Sequence, residues 1–489
     1  MKLKIKSLKF SAGRPVAILD LKTANQLNVH LDDRVLIQKG KKQIISIIDI
    51  AKSLLEDDEI AVSQEVLEEL NAKERDKVFV TPTFSPKSLE FIYKKLNCTP
   101  LNEEELKRII NDIVKNALTE AEIAYFVSSI YKCGMSIKEI EFLIKAIINS
   151  GKTLKLKGKV ADKHSIGGIA GNRTTPIVVS ICSSAGLIMP KTSSRAITSA
   201  AGTADVIESV AKVEFSIPEL HKILKKTNAC IVWGGSLGLA PADDKLIQVE
   251  RLLNLDPEPQ LLASILAKKI SVGSKYILID LPYGKSAKIS RKQGLELKRK
   301  FELIAKNFNL TLKCVLTDGS HPIGRGVGPI LEIRDIISIL KQEKSRPLDL
   351  EKKSILLSGL LLELAGKAKK GEGKKLALKI LQSGQAFKKF NEIIKAQGGH
   401  LNNLQPGKFS EEIKAGRTGK LIEIDNKRIN FLARILGSPA DKGAGIYIHK
   451  NKNSRIKKAG VLFTFYAESK EKLEQAINLY KKMIVFKIK

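Results

Sequence analysis

Asn102-x-x-Glu105, Thr119-x-x-Glu122 and Ser136-x-x-Glu139 follow one another along the chain, and three capping boxes in a row leave the backbone little choice. In each, the first side chain can accept a hydrogen bond from a helix-start N–H, while the glutamate reaches back to the N–H of the cap. Apolar residues at helical spacing follow, as at Leu106, Ile109, Ile110 and Ile113. Residues 85–155 are expected to form a helical domain, completed by helices from about 186–225.

The flanking text has other periods. Residues 1–84 hold short β-branched runs ("KLKIKSLKF", "PVAILDL", "DKVFVTPT") separated by turn residues, which predicts an N-terminal β-rich, barrel-like domain. From 156 to 407, strand-like runs such as "ACIVWGG" and "KYILIDL" alternate with helical ones, the pattern of an α/β domain whose ligands sit at strand C-terminal ends. Strand-and-turn text returns over 408–489 and reads as a C-terminal α+β module. The fold class is therefore multidomain α/β and α+β, and 489 residues need more than one core.

No apolar run approaches the ~20 residues of a membrane helix, and the N-terminus lacks the apolar core of a signal peptide, so a cytoplasmic protein without membrane contact is expected. Five scattered cysteines without a Cys-x-x-Cys pair suggest reduced, buried thiols, and six scattered histidines show no metal-binding spacing. Neither a metal nor a cofactor is expected. The net charge of +32 admits nucleic acid, acidic lipid or anionic small molecules as partners. With aromatics at 5%, and lysines spread along the chain, a nucleic-acid platform is not the preferred reading.

Anions have a more specific address. "DKHSIGGIAGNRTTP", residues 162–176, places Lys163, His164 and Ser165 before Gly167, Gly168 and Gly171 and a possible helix start, where backbone N–H groups can approach a phosphate. There is no Gly-x-x-x-x-Gly-Lys-[Ser/Thr] phosphate loop. "PKTSSRAITSAAGTAD", residues 190–205, crowds hydroxyls around Arg195, a combination suited to oxyanions, although Ser and Thr there could also be helix caps. "GRGVG" at 324–328 lacks full dinucleotide-loop spacing and reads as a turn.

These two stretches, together with "ACIVWGGSLGLAPADD", "LLASILAKK", "VLTDGSHPIGRGVGPILEIRD" and "GAGIYIHK", resemble the thymidine phosphorylase superfamily over nearly the full chain. "TSSRAITSAAGTAD" and the N-terminal extension resemble its archaeal AMP phosphorylase branch. The resemblance implies phosphorolysis of AMP, with CMP and UMP as further substrates, to free base and ribose 1,5-bisphosphate, inorganic phosphate being the co-substrate. It implies Asp256 as the proton donor. Gly168, Ser194, Arg195, Ala196, Ile197, Thr198, Ser199, Thr203, Ser264 and Lys288 would bind AMP, and Lys163, Ser165, Ser193 and Thr203 phosphate. It further implies a homodimer or larger homo-oligomer and a cleft that closes on the substrates.

From the residues alone, Asp256 in "NLDPEPQ" reads as the cap of the helix that carries Ser264 and Lys268, and His164 as a structural histidine; His164 and Lys268 stand as secondary site residues. Lys285 is a second cation beside Lys288. Where nucleoside-specific relatives resemble "LRD", this chain has "QVER" at 248–251, which puts the base pocket in question. The rival enzyme reading is a thymidine or pyrimidine nucleoside phosphorylase. The rival outside enzymes is a nucleic-acid-binding protein, drawn from the net charge of +32.

Overall fold

A computed structural model describes residues 1–196 and 199–489, and the chain divides into two compact units. The first comprises Met1–Gly151 and Ala240–Ala267. Six strands, β1 (Lys2–Ser7), β2 (Val16–Asp20), β3 (Arg34–Lys39), β4 (Lys42–Ala51), β5 (Glu59–Val62) and β6 (Lys77–Pro82), close a barrel in the order β1-β5-β2-β4-β3-β6. Alternation along these strands turns Leu3, Ile5, Leu19, Ile37, Ile48 and Val80 into its core.

The bundle of this unit contains the helices Ser88–Leu96, Glu103–Val114, Glu120–Cys133 and Ile137–Asn149, and all three capping boxes form. Arg34 ties the barrel to it: Nε donates to the Ala117 carbonyl at 2.8 Å and the guanidinium pairs with Glu122. The bundle is not completed by residues 186–225, as expected above. Its further helix is Pro241–Leu253, which packs against Glu103–Val114 and Glu120–Cys133. There the Lys245 ammonium donates to the Ile113 and Val114 carbonyls, each at 3.0 Å, supplying partners to a helix C-terminus. Residues 186–225 instead supply a strand, a short helix and most of a second helix to the second unit.

The cysteine expectation also needs correction. Cys98 and Cys133 are joined in a disulfide, while Cys182, Cys230 and Cys314 are buried free thiols. Packing of the first bundle helix on the third brings the two sulfurs together across 35 residues of sequence, a proximity that spacing alone conceals.

The second unit comprises Lys152–Leu239 and Lys268–Lys489. Its strands β7 (Ala161–Ser165), β8 (Met189–Ser193), β9 (Ala229–Trp233), β10 (Tyr276–Tyr283) and β11 (Thr311–Asp318) run parallel, paired as β11-β10-β7 and β8-β9. A parallel bridge from Val160 to Ile188 links the two sets. Helices bury the strands, with Ile177, Ile181, Ile336, Leu357, Leu361 and Phe390 in the core, as a parallel sheet requires.

The C-terminal residues form the expected α+β module with a core of their own, and its sheet takes in one short strand from the α/β part of the unit. Gly326–Val327 pairs with Gly445–Ile448, which pairs with Val461–Ala467 and through it with Phe409–Lys414. The core of this region reaches back to Ala170 and Ala200. Among the described residues no helix is long and apolar enough to cross a membrane.

Candidate functional site

In the second unit, parallel pairing aligns the ends of β7 and β10, β8 pairs with β9 beside them, and the loops that leave β7, β8 and β10 carry the chemistry read from the sequence. The loop after β7 turns through Gly167, Gly168 and Gly171 at φ of 87°, 88° and 68°, a region that side chains disfavour, and enters the helix Thr174–Ser184. At Gly168 a Cβ would lie 3.3 Å from the Lys288 Cβ and 3.4 Å from its backbone nitrogen. The absence of a side chain thus lets two of the proposed nucleotide-binding residues, from loops far apart in sequence, meet.

Beneath this loop lies a charged network. Lys163 is fully buried, its ammonium donates to Thr174 Oγ1 at 2.6 Å, and burial, opposed by Asp280, pushes its pKa down to about 8. Ser165 donates through Oγ to Asp280 Oδ2 at 3.0 Å, Thr317 donates to Oδ1 at 2.6 Å, and the Lys353 ammonium stands 3.0 Å from Oδ2. Burial works against the Asp280 charge, but Lys353 and Lys163 hold its pKa below the usual carboxylate range. Next door, Asp162 takes ammonium groups from Lys191 at 2.9 Å and Lys269 at 2.8 Å. Four buried lysines thus face two buried aspartates, leaving a surplus of positive charge suited to an anion. His164 is kept neutral, because burial and then Lys269, Lys191 and Lys163 push its pKa well down. A neutral imidazole can orient a ligand but carries no excess proton at neutral pH.

The loop after β8 is organised by carboxylates. Asp205 Oδ2 accepts from the N–H groups of Ala196 at 2.7 Å and Gly202 at 2.8 Å. Arg195 does not point its guanidinium free for an oxyanion: it bonds Glu208 at 2.8 and 2.9 Å, Glu214 at 2.8 Å and Asp205 at 3.3 Å, and stacks over the Trp233 ring. Ser199 Oγ donates to the Ala201 carbonyl, Ser194 offers its carbonyl to the Ala204 N–H, and Thr203 begins a short helix. Ser193 Oγ and Thr192 Oγ1 are buried with no hydrogen-bond partner among the described residues, as is Asn172 Oδ1 on the neighbouring loop. A polar ligand bound between the end of β8 and the glycine loop would supply these three atoms with partners. Ile197 and Thr198 lie outside the described residues.

Lys288 is half-buried, whereas Lys285 is exposed and pairs with Glu423 at 3.4 Å. Of the two cations near 285–288, Lys288 is the one placed against the glycine loop.

In the first unit, Ser264 Oγ donates to Asp243 Oδ2 at 2.9 Å and Gln260 Nε2 donates to Oδ1 at 3.1 Å, which fixes one face of the helix Glu258–Ser271. Lys268, one turn beyond Ser264, is half-buried like it. Asp256 is exposed, in the short link between Pro241–Leu253 and this helix. "QVER" lies within Pro241–Leu253, with Arg251 exposed. "GRGVG", expected to be a turn, is a bend at Gly324 and Arg325 that leads into the short strand Gly326–Val327, its Arg325 and Gly326 N–H groups donating to buried Asp335.

Sequence reasoning missed Arg173, Asp280 and Lys353. Arg173 pairs with buried Glu332, donates to Thr203 Oγ1 at 2.8 Å and to the Ala201 carbonyl at 2.7 Å, and so joins the glycine loop to the hydroxyl loop. Its signal was its place two residues after the last glycine; Lys353, beside Lys352 in a helix start that also holds Asp349 and Glu351, carried no signal of its own.

Three family models match the chain: the glycosyl transferase family helical bundle domain over residues 89–151, the glycosyl transferase family a/b domain over 157–387, and the pyrimidine nucleoside phosphorylase C-terminal domain over 420–487. The AMP phosphorylase of Pyrococcus horikoshii is 43% identical, with 100% of this chain and 98% of the relative covered. Those of Methanocaldococcus jannaschii and Thermococcus kodakarensis are each 41% identical, covering 93% and 98% of this chain and 92% and 96% of the relatives. Among solved structures, anthranilate phosphoribosyltransferase from Thermus thermophilus shares the fold at a TM-score of 0.53 and 17% identity, covering 63% of this chain and 99% of that one.

Proposed function

Because the chain belongs to the AMP phosphorylase family, we propose that it cleaves AMP with inorganic phosphate, giving adenine and ribose 1,5-bisphosphate, and that CMP and UMP are further substrates. A phosphate oxygen forms a bond to C1′ as the C1′–N bond breaks, and the electron pair leaves with the base. Positive charge gathers on the sugar and negative charge on the base, so an anion on one side and an acid on the other both lower the barrier. The observation that carries the reading is the Lys163–Asp280–Lys353 network beneath the glycine loop, with its surplus of buried positive charge, in a chain similar to AMP phosphorylases over nearly its whole length.

In this reading Lys163, Ser165, Ser193 and Thr203 hold phosphate. Gly168, residues 194–199, Thr203, Ser264 and Lys288 hold AMP, with Lys288 reading the 5′-phosphate, and Asp256 protonates the leaving base. Arg195 contributes by fixing the backbone of its loop, since its guanidinium is taken up by carboxylates. His164 and Lys268 orient the nucleotide. The reaction uses no metal and no cofactor, and the enzyme works as a cytoplasmic homo-oligomer.

The test is release of free base by purified, chelator-treated protein given phosphate with AMP, CMP, UMP, thymidine or uridine. Base from the three monophosphates is expected. Base from thymidine or uridine alone overturns the reading in favour of a nucleoside phosphorylase, and activity lost to the chelator and restored by metal overturns the metal-free part.

A further inference from the structure

The helix Asn426–Ile435 lies within the segment matched by the pyrimidine nucleoside phosphorylase C-terminal domain, away in sequence from every residue assigned above, yet it reaches three of the ligand loops. Asn426 and Asn430, one turn apart and therefore on one face, are 0% and 2% exposed. Asn426 Oδ1 accepts from the Ala170 N–H at 3.1 Å, in the glycine loop. Its Nδ2 donates to Ser286 Oγ and to the Gly319 carbonyl, each at 3.0 Å, and Ser286 stands two residues before Lys288. The amide can face only one way, because a backbone N–H lies on one side and a carbonyl on the other. Asn430 Oδ1 accepts from the Ala200 N–H at 3.1 Å, in the hydroxyl loop, and Ser438 Oγ donates to the Ala200 carbonyl at 3.2 Å.

We propose that Asn426 and Asn430 are positioning residues of the active site, a two-rung clamp through which the C-terminal region holds the glycine, hydroxyl and Lys288 loops in register. Ala170 and Ala200 also belong to the hydrophobic core of that region, so their backbones are seated by packing and oriented by the two amides. A loop that binds through its backbone is only as well placed as the groups that hold its own N–H and carbonyl groups. Neither asparagine touches substrate; each acts through a loop. The assignment of substrates to these loops, with Asn426 behind residues for both phosphate and AMP and Asn430 behind the AMP-binding 194–199 stretch, rests on the phosphorolysis reading above.

Two measurements on the full chain decide it. Backbone hydrogen exchange, read on peptides that contain Ala170 or Ala200, should quicken at Ala200 in Asn430→Ala and at Ala170 in Asn426→Ala. Steady-state kinetics should show the AMP KM of Asn430→Ala raised about tenfold with its phosphate KM changed less, and both KM values of Asn426→Ala raised, since Asn426 stands behind the loops of Ser165, Gly168 and Lys288, as expected for lost buried hydrogen bonds. Asn430→Leu fills the volume that alanine leaves empty and should behave as Asn430→Ala does. Unchanged exchange in these variants overturns the clamp. Quickened exchange with both KM values unchanged, or with both raised equally by Asn430→Ala, overturns the positioning role. If the natural chain releases no base, the phosphorolysis reading fails, while the exchange measurement still tests the clamp.

Discussion

At the scale of single residues, buried charge makes pH a probe of the anion loop. Lys163 is a base whose pKa burial pushes down to about 8, so in the free enzyme its positive charge is present below that value and lost as pH rises through it. If Lys163 holds phosphate, kcat/KM for phosphate should be level from pH 7 to about 8 and then fall up to tenfold per pH unit. A profile level to pH 10 assigns the anion to another cation. Lys288→Ala should lower kcat/KM for AMP by about 10- to 100-fold while leaving any adenosine activity nearly unchanged, the loss of one charge-assisted bond. A constant ratio between the two substrates shows that Lys288 does not read the 5′-phosphate. Asp256→Asn should keep the AMP KM and lower kcat by about 10²- to 10⁴-fold, the range for a positioned general acid; equal loss of binding and turnover instead indicates a helix-entry role. Lys163, Ser165 and the glycines could be singled out in the sequence because they are neighbours there. Asp280, Lys353, Asn426 and Asn430 could not, because each acquires its meaning from a partner tens to hundreds of residues away.

At the scale of elements, what depends on local sequence was readable and what depends on packing was not. The capping boxes at Asn102, Thr119 and Ser136 form because both partners lie within one turn, and the barrel strands follow their own alternation. Which helices complete the bundle is decided by the fit of Pro241–Leu253 and by Lys245 meeting two carbonyls, and nothing in the 186–225 text signals that it serves a sheet instead. The Cys98–Cys133 bridge belongs to the same class, since it records the packing of the first bundle helix on the third. It closes a loop that spans 35 residues and holds both of the intervening helix starts, so cutting it enlarges the unfolded ensemble of the bundle. Cys98→Ser should lower unfolding stability by about 3–4 kcal/mol in denaturant titration, and a reducing agent should lower the natural chain equally while leaving the variant unmoved. A natural chain insensitive to the reducing agent means that the two thiols are not bridged in solution.

At the scale of the whole molecule, the charge of +32 and the proposed self-association pull against each other, because identical copies repel. The repulsion is long-ranged at low salt and falls to a reach of about 10 Å at 0.1 M, so assembly should strengthen with ionic strength, the reverse of what nucleic-acid binding does. The sheet of the barrel is closed and offers no strand edge, so any contact must be made by side chains, and Leu31 and Phe79 stand 59% and 55% exposed on it. Removing residues 1–84 opens no sheet and leaves Glu122, which pairs with Arg34, still holding the Thr119 N–H in its capping box. The remaining chain should therefore keep its helical signal in circular dichroism while the number of copies per particle, its light-scattering mass divided by its chain mass, drops below that of the full chain at every salt concentration. A truncated chain of unchanged assembly state would move the contacts to the rest of the molecule, and a full-chain mass that falls as salt rises would show that charge complementarity, with a partner or between copies, outweighs the net repulsion.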